Sequence, residues 1–248
     1  AVSNAVGSVA LGKDAKANGA FTVALGGGNW QFKGAQANGV GTTALGSNTK
    51  TQENINYQTA IGFGATTSAE SALALGYNAA ASAQNAIALG RSASTAGQDA
   101  VALGSSSQAK GDSGLAIGNR AEANSNSVIS LGYQANNGAS NNTNGVAIGW
   151  AAGMQSNGLN NVGVGTNAGR QVIGNNNTSL GNGAGNIANT KIYTSESIML
   201  GTGAKVVGSS ATKSIDNVIA IGKNTNGSAS SAIAVGINAG SSAENGVA

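Results

Sequence analysis

Leu73-Ala74-Leu75-Gly76, Ile87-Ala88-Leu89-Gly90 and Val101-Ala102-Leu103-Gly104 are three copies of one tetrapeptide, each 14 residues after the last. In each, a small residue stands between two large aliphatic ones and a glycine closes the group. The same group is found in both directions along the chain. Its closing glycines are Gly12, Gly26, Gly46, Gly62, Gly76, Gly90, Gly104, Gly118, Gly132, Gly149, Gly165, Gly181, Gly201, Gly222 and Gly236, and Val247-Ala248 begin a further copy. The commonest step between them is 14 residues and every other step is longer. A solenoid has this signature, because its core strand must keep register while a turn can take extra residues.

Each tetrapeptide is followed by two polar positions and then by small residues alternating with polar ones, as in Ala15-Lys16-Ala17-Asn18-Gly19 and Ala121-Glu122-Ala123-Asn124. Alternation with period two marks a strand with one buried face. The tetrapeptide has apolar or small groups on both faces, as a strand covered on both sides does. One unit therefore reads strand, turn, strand, turn, with strands of about five residues stacked in parallel on their copies and added residues confined to the turns. Glycine ends the first strand, where the chain must bend or take a positive φ. Either face of that strand could be the one left open. Large Val and Leu against small Ala inside each coil would give ordinary sheet spacing, which favours the large side chains inside. The remaining face would leave a lone chain with a long apolar stripe, larger than soluble monomers tolerate, so symmetric self-association is expected.

Composition narrows the function. The 248 residues include 40 Gly but no Pro, Cys or His, and only 8% are charged. Without His or Cys, and with no base at recognisable spacing from any serine, no catalytic residue is assigned. Nor is any cofactor or metal site. The glycine runs lie outside a strand–helix unit and lack a following Lys-Ser/Thr, and Asp is too scarce for calcium-binding repeats. The net charge of +3 comes from scattered residues, so nucleic acid is not an expected partner. No apolar run reaches the 18 residues of a membrane-spanning helix. The chain begins and ends within the repeat pattern, so it reads as a piece of something longer.

The recurring Val-Ala-Leu-Gly or Ile-Ala-Ile-Gly group on a 14-residue step, followed by the Ala-x-Ala half, resembles the YadA-like head of trimeric autotransporter adhesins. The resemblance covers residues 1–248 as a single head domain. It implies an all-β, left-handed parallel β-roll (a β-solenoid) and a homotrimer. It also implies display on the surface of a Gram-negative bacterium, at the outer membrane. The expected partners are extracellular-matrix proteins such as collagen, fibronectin and laminin, or host cells and abiotic surfaces, with autoagglutination or biofilm formation as further roles. The stalk and the C-terminal membrane anchor of that family are absent from the sequence.

Binding is expected on the insertions, because loops on rigid scaffolds carry recognition. These lie near 27–36, 182–197 and 202–217. They supply Trp30, Phe32 and Lys33, then Lys191 and Tyr193, then Lys205 and Lys213; Trp150 directly follows a motif glycine. Aromatic and basic residues on protruding loops suit protein recognition. The plainer reading for Trp30 and Trp150 is packing over a coil end or a neighbouring chain. The alternative function is a purely structural or ice-binding solenoid. Thr22, Thr42, Thr43, Thr66 and Thr67 do not form the sustained Thr-x-Thr column that ice binding needs.

Overall fold

A computed structural model describes all 248 residues. They form β-strands and turns, with no helix, and fall into two compact units, Ala1–Asn119 and Arg120–Ala248.

In the first unit the tetrapeptides form eight parallel three-residue strands, from Val9–Leu11 to Leu115–Ile117. Eight two-residue strands, from Val2–Ser3 to Gln108–Ala109, form a second parallel sheet. Register follows the repeat directly: Ala74 stands beside Ala60 on one side and Ala88 on the other. The 20-residue step leaves it unchanged, since Val23 pairs with Thr43. The strands are shorter than the five residues expected, because two left-handed residues bracket them in each 14-residue coil of this unit. Asn78, Ser92 and Ser106 have φ of 51°, 55° and 58° in the first turn, and Asn85, Asp99 and Ser113 have 56°, 55° and 53° in the second. Short polar side chains tolerate that region better than most.

The orientation of the tetrapeptide corrects the expectation that Val and Leu pack inside. Ala72, Ala74, Ala79 and Ala81 are at most 1% exposed; every apolar residue of the core around them is alanine, and the buried Thr67 and Thr95 stand beside Ala81 in its column. Leu73 and Leu75 flank Ala74 on the same strand and point outward; Leu75, Leu45 and Leu103 are 38%, 41% and 38% exposed. The reason is volume. Fourteen residues, less two turns, bring the two sheets close enough that facing methyl groups fill the space. A leucine in each turn would force them apart, and close-packed interiors do not absorb such volume.

The closing glycine is set by the same closeness. Gly90 has φ +134°, and a Cβ there would lie 2.5 Å from the carbonyl oxygen of Gly104, one coil on. Polar side chains also enter the core to satisfy backbone groups, in 14-residue coils, as where Ser107 Oγ donates to the Gly104 carbonyl at 2.9 Å, and in longer ones. Thr49 Oγ1 donates to the carbonyls of Gly46 and Gly62, at 2.6 and 2.9 Å. Gln58, fully buried, accepts from the Gln52 amide at 3.0 Å and donates to the carbonyls of Gln52 and Ile55, at 3.0 and 2.7 Å.

The second unit keeps the first strand through every longer step, in register from Ile129↔Val146 to Ile219↔Ile233. The second strand does not survive intact, contrary to the expectation that extra residues stay in turns. It is reduced to isolated bridges, Ser140↔Asn157 and Asn157↔Ile173, and to short pairs such as Val172–Ile173 with Ile192–Tyr193. Longer coils enclose more space, and larger side chains fill it: Val172, Ile192, Met199, Val206, Ile215 and Val218 form the core there. Asparagine takes the inward position where the step is 16. Asn177 donates through Nδ2 to Asn161 Oδ1 (3.1 Å) and the Thr194 carbonyl (2.8 Å), while its Oδ1 accepts from the Ser197 amide (3.1 Å).

Two substitutions test these constraints by chemical denaturation. Gly90→Ala meets both a left-handed φ and a backbone clash, and costs at least about 1–3 kcal/mol. Asn177→Ala strands buried partners and costs about 1–3 kcal/mol. A midpoint unchanged from the parent in either variant contradicts the corresponding packing.

Candidate functional site

Eight residues, 27–34, separate Gly26 from Ala35, where two separate Gly76 from Ala79. The extra residues form a closed loop. The Asn29 amide donates to the Phe32 carbonyl at 2.8 Å, and Asn29 Oδ1 accepts from the amides of Gln31 (2.8 Å) and Phe32 (2.7 Å). The loop base is tied to the coils on either side: the Gly28 amide donates to the Lys13 carbonyl at 2.7 Å, and the Asn48 amide to the Lys33 carbonyl at 2.8 Å. Gly28 is required at the neck, where a Cβ would lie 2.6 Å from both the Gly34 amide nitrogen and the Phe32 carbonyl oxygen.

Phe32 anchors this loop. Its ring meets Phe63 edge-on, with centroids 4.9 Å apart, and Phe63 stacks on Tyr77 at 5.7 Å. Phe63 and Tyr77 each follow a motif glycine, so the repeat lines them up. Trp30 at the loop tip is 91% exposed. It does not cap a coil of its own chain.

Beside the loop runs the outward face of the second sheet. Lys16, Gln36, Lys50 and Thr66 occupy one register column, each the outward residue of its two-residue strand. Two adjoining depressions of about 580 and 330 Å³ lie between column and loop, and Gln31, Lys33 and Gln36 line both. Asp14, Lys16, Asn29, Trp30, Phe32 and Glu53 complete the larger one, and the smaller includes Asn48, Lys50 and Thr66. The groove thus offers ammonium groups, amides, a hydroxyl and one free indole face, which are groups that bind. Lys16, Gln36 and Lys50 were not among the candidates expected from sequence. Their signal was present: Lys16 and Lys50 hold the same position in their units, once the 20-residue step is aligned.

The other expected residues lie elsewhere. Trp150, 48% exposed, stacks on Tyr133 at 6.2 Å. Lys191 follows the antiparallel bridge Ile187↔Thr190 and is exposed, while Tyr193 is half-buried, its amide accepted by Ser209 Oγ at 3.0 Å. Lys205 is half-buried in the strand Lys205–Val206, and Lys213 is exposed beside the bridge Ser210↔Lys213. The insertions near 182–197 and 202–217 are in part core, since Ile192, Val206 and Ile215 are buried. Phe21 and Tyr57 are exposed aromatics missed in the sequence. Both have left-handed φ, and their rings lie over Gly7 and Gly41, the residues one coil before them.

A comparison with curated proteins found no match. The family model of the YadA head domain repeat matches residues 3–29, 33–50, 59–79, 81–107 and 109–135. The gap at 30–32 falls in the inserted loop, and that at 51–58 in the enlarged turn filled by Gln58. With matched repeats running from residue 3 to residue 135, and the same tetrapeptide continuing to Gly236, the chain belongs to the YadA head domain repeat family.

Proposed function

We propose that the chain is the head of a trimeric autotransporter-type adhesin, exposed on a Gram-negative cell surface and acting by binding rather than by catalysis. The observation that carries this reading is the outward aliphatic face of the first sheet. In the first unit it runs from Val9 and Leu11 to Leu115 and Ile117, and in the second from Ile129 and Leu131 to Ile233 and Val235, partly exposed throughout. Ordered, flat apolar columns of this length call for cover. A closed symmetric assembly of like chains supplies it, because every coil then meets its own equivalent. Three chains around one axis is the arrangement the family suggests.

The second sheet faces the opposite way and stays free in such an assembly, together with the loop at 27–34. Matrix proteins such as collagen, fibronectin or laminin, host cells and abiotic surfaces are the proposed targets. Autoagglutination follows from the same surface. Three copies per head and many heads per cell give avidity, so each contact can be weak. The ice-binding alternative is disfavoured by the threonines: Thr22 and Thr42 are buried, and donate to the carbonyls of Gly19 and Gly39 at 2.8 and 3.0 Å.

Sedimentation at micromolar concentration is expected to give three times the 23.8 kDa chain mass. Leu75→Glu with Leu103→Glu is expected to give monomers, because each buried carboxylate costs several kcal/mol at a dry interface. A monomeric parent contradicts the assembly. Solid-phase binding of the parent to collagen, fibronectin, laminin or bare plastic tests the adhesin reading, and no binding to any surface or cell contradicts it.

A further inference from the structure

We propose that the groove between the loop at 27–34 and the second-sheet column Lys16, Gln36 and Lys50 binds an acidic polysaccharide, with the Trp30 indole face under a sugar ring and the lysines against its sulfate or carboxylate groups. The inference rests on the adhesin reading and gives one of its surfaces a ligand class.

The loop is built to present Trp30. Its neck glycine, its Asn29-centred turn and the Phe32–Phe63 contact fix the backbone, yet the tryptophan takes no part in the packing. A large ring held out by a rigid loop costs hydrophobic free energy and gives the fold nothing in return. What it offers is a flat face with negative potential, which attracts the polarised C–H groups on one side of a pyranose ring.

The groups around the ring separate a saccharide from a protein partner. A protein hot spot sits in an apolar patch that excludes water. Trp30 instead shares its depression with one other aromatic ring, Phe32, and otherwise with polar or charged side chains such as Asn29, Gln31 and Gln36, with Asn48 and Thr66 further along the groove. Amides that donate and accept suit hydroxyl groups. Charge selects among saccharides. The smaller depression carries Lys33 and Lys50 with no carboxylate, whereas in the larger one Asp14 and Glu53 balance Lys16 and Lys33. An anionic group is therefore directed to the Lys33–Lys50 side. Lys16 and Lys50 are two strand spacings apart, about 10 Å, a span comparable with one disaccharide of an extended chain. The register column thus lies along a polymer rather than around a small molecule. Because this face is opposite the aliphatic columns, trimer formation leaves it open.

Heparin octasaccharide is the probe, with its fully desulfated form and neutral dextran as controls, titrated calorimetrically into the whole chain. The parent is expected to bind the sulfated form, with affinity falling as salt is raised. Trp30→Ala is expected to weaken binding by about tenfold or more. Lys33→Gln with Lys50→Gln is expected to weaken it and to flatten its salt dependence, with unchanged thermal unfolding in both variants. In a Trp150→Phe background, the emission of Trp30 should shift on binding. Equal affinity of parent and variants, or equal affinity for dextran and heparin, overturns the proposal. Binding of the parent to collagen, fibronectin, laminin or plastic without any to heparin also overturns it, while leaving the adhesin reading in place. Absence of binding to every surface and saccharide removes both.

Discussion

The contact on which this structure depends is methyl against methyl across a very thin coil. Facing columns such as Ala74 and Ala81 are fully buried, and they hold the two sheets close enough that only alanine and, at Thr51, Thr67 and Thr95 in the Ala81 column, threonine fit between them. Individual dispersion contacts are small, but here they repeat in register at every coil. The large aliphatic residues are displaced outward as a direct result. The backbone at each strand end is drawn against the next coil, which excludes a side chain at Gly90 and its equivalents. A core this thin is a weak source of stability for one chain. The outward Val, Leu and Ile columns are where further apolar burial is available, so the thinness of the coil also creates the face on which the proposed assembly would form.

The longer steps show the same constraint relaxed. A coil with added residues encloses more volume and leaves backbone groups without a neighbour. The chain answers with matched side chains. Gln58 and Asn177 satisfy backbone groups from inside, while Ile192, Met199 and Ile215 fill the widest coils. The insertion at 27–34 adds no large side chain to the core, because it is closed by its own Asn29 turn and pinned by Phe32 against Phe63. That difference separates a loop that serves the core from one that is free to serve recognition.

Much of this was legible in the sequence, within definite limits. The period, the parallel stacking and the register of the first strand follow from the spacing of the closing glycines alone. The direction of the strand does not. Alternation places Ala74 on one face and Leu73 and Leu75 on the other whichever way the strand turns, and the choice depends on the sheet separation, which the turns set. The left-handed Asn, Ser and Asp residues were visible only as polar positions after the glycine. Ile192, Val206 and Ile215 lay inside insertions, and insertions suggest surface. At the groove, Trp30, Phe32 and Lys33 stand out as an aromatic and basic interruption of an otherwise plain repeat. Lys16 and Lys50 are separated by 34 positions in sequence and become neighbours of the loop only through the sheet register.

The central claim is that alanine faces into each coil and the large aliphatic residues face another copy of the chain. The chain has no cysteine of its own, so single thiols report this cleanly. Leu89→Cys and Ala88→Cys, adjacent on one strand, are each oxidised under native conditions and read on a denaturing gel for chain-to-chain disulfides. The account predicts linked chains for Leu89→Cys and none for Ala88→Cys. Linked chains for Ala88→Cys with Leu89→Cys remaining unlinked would contradict it.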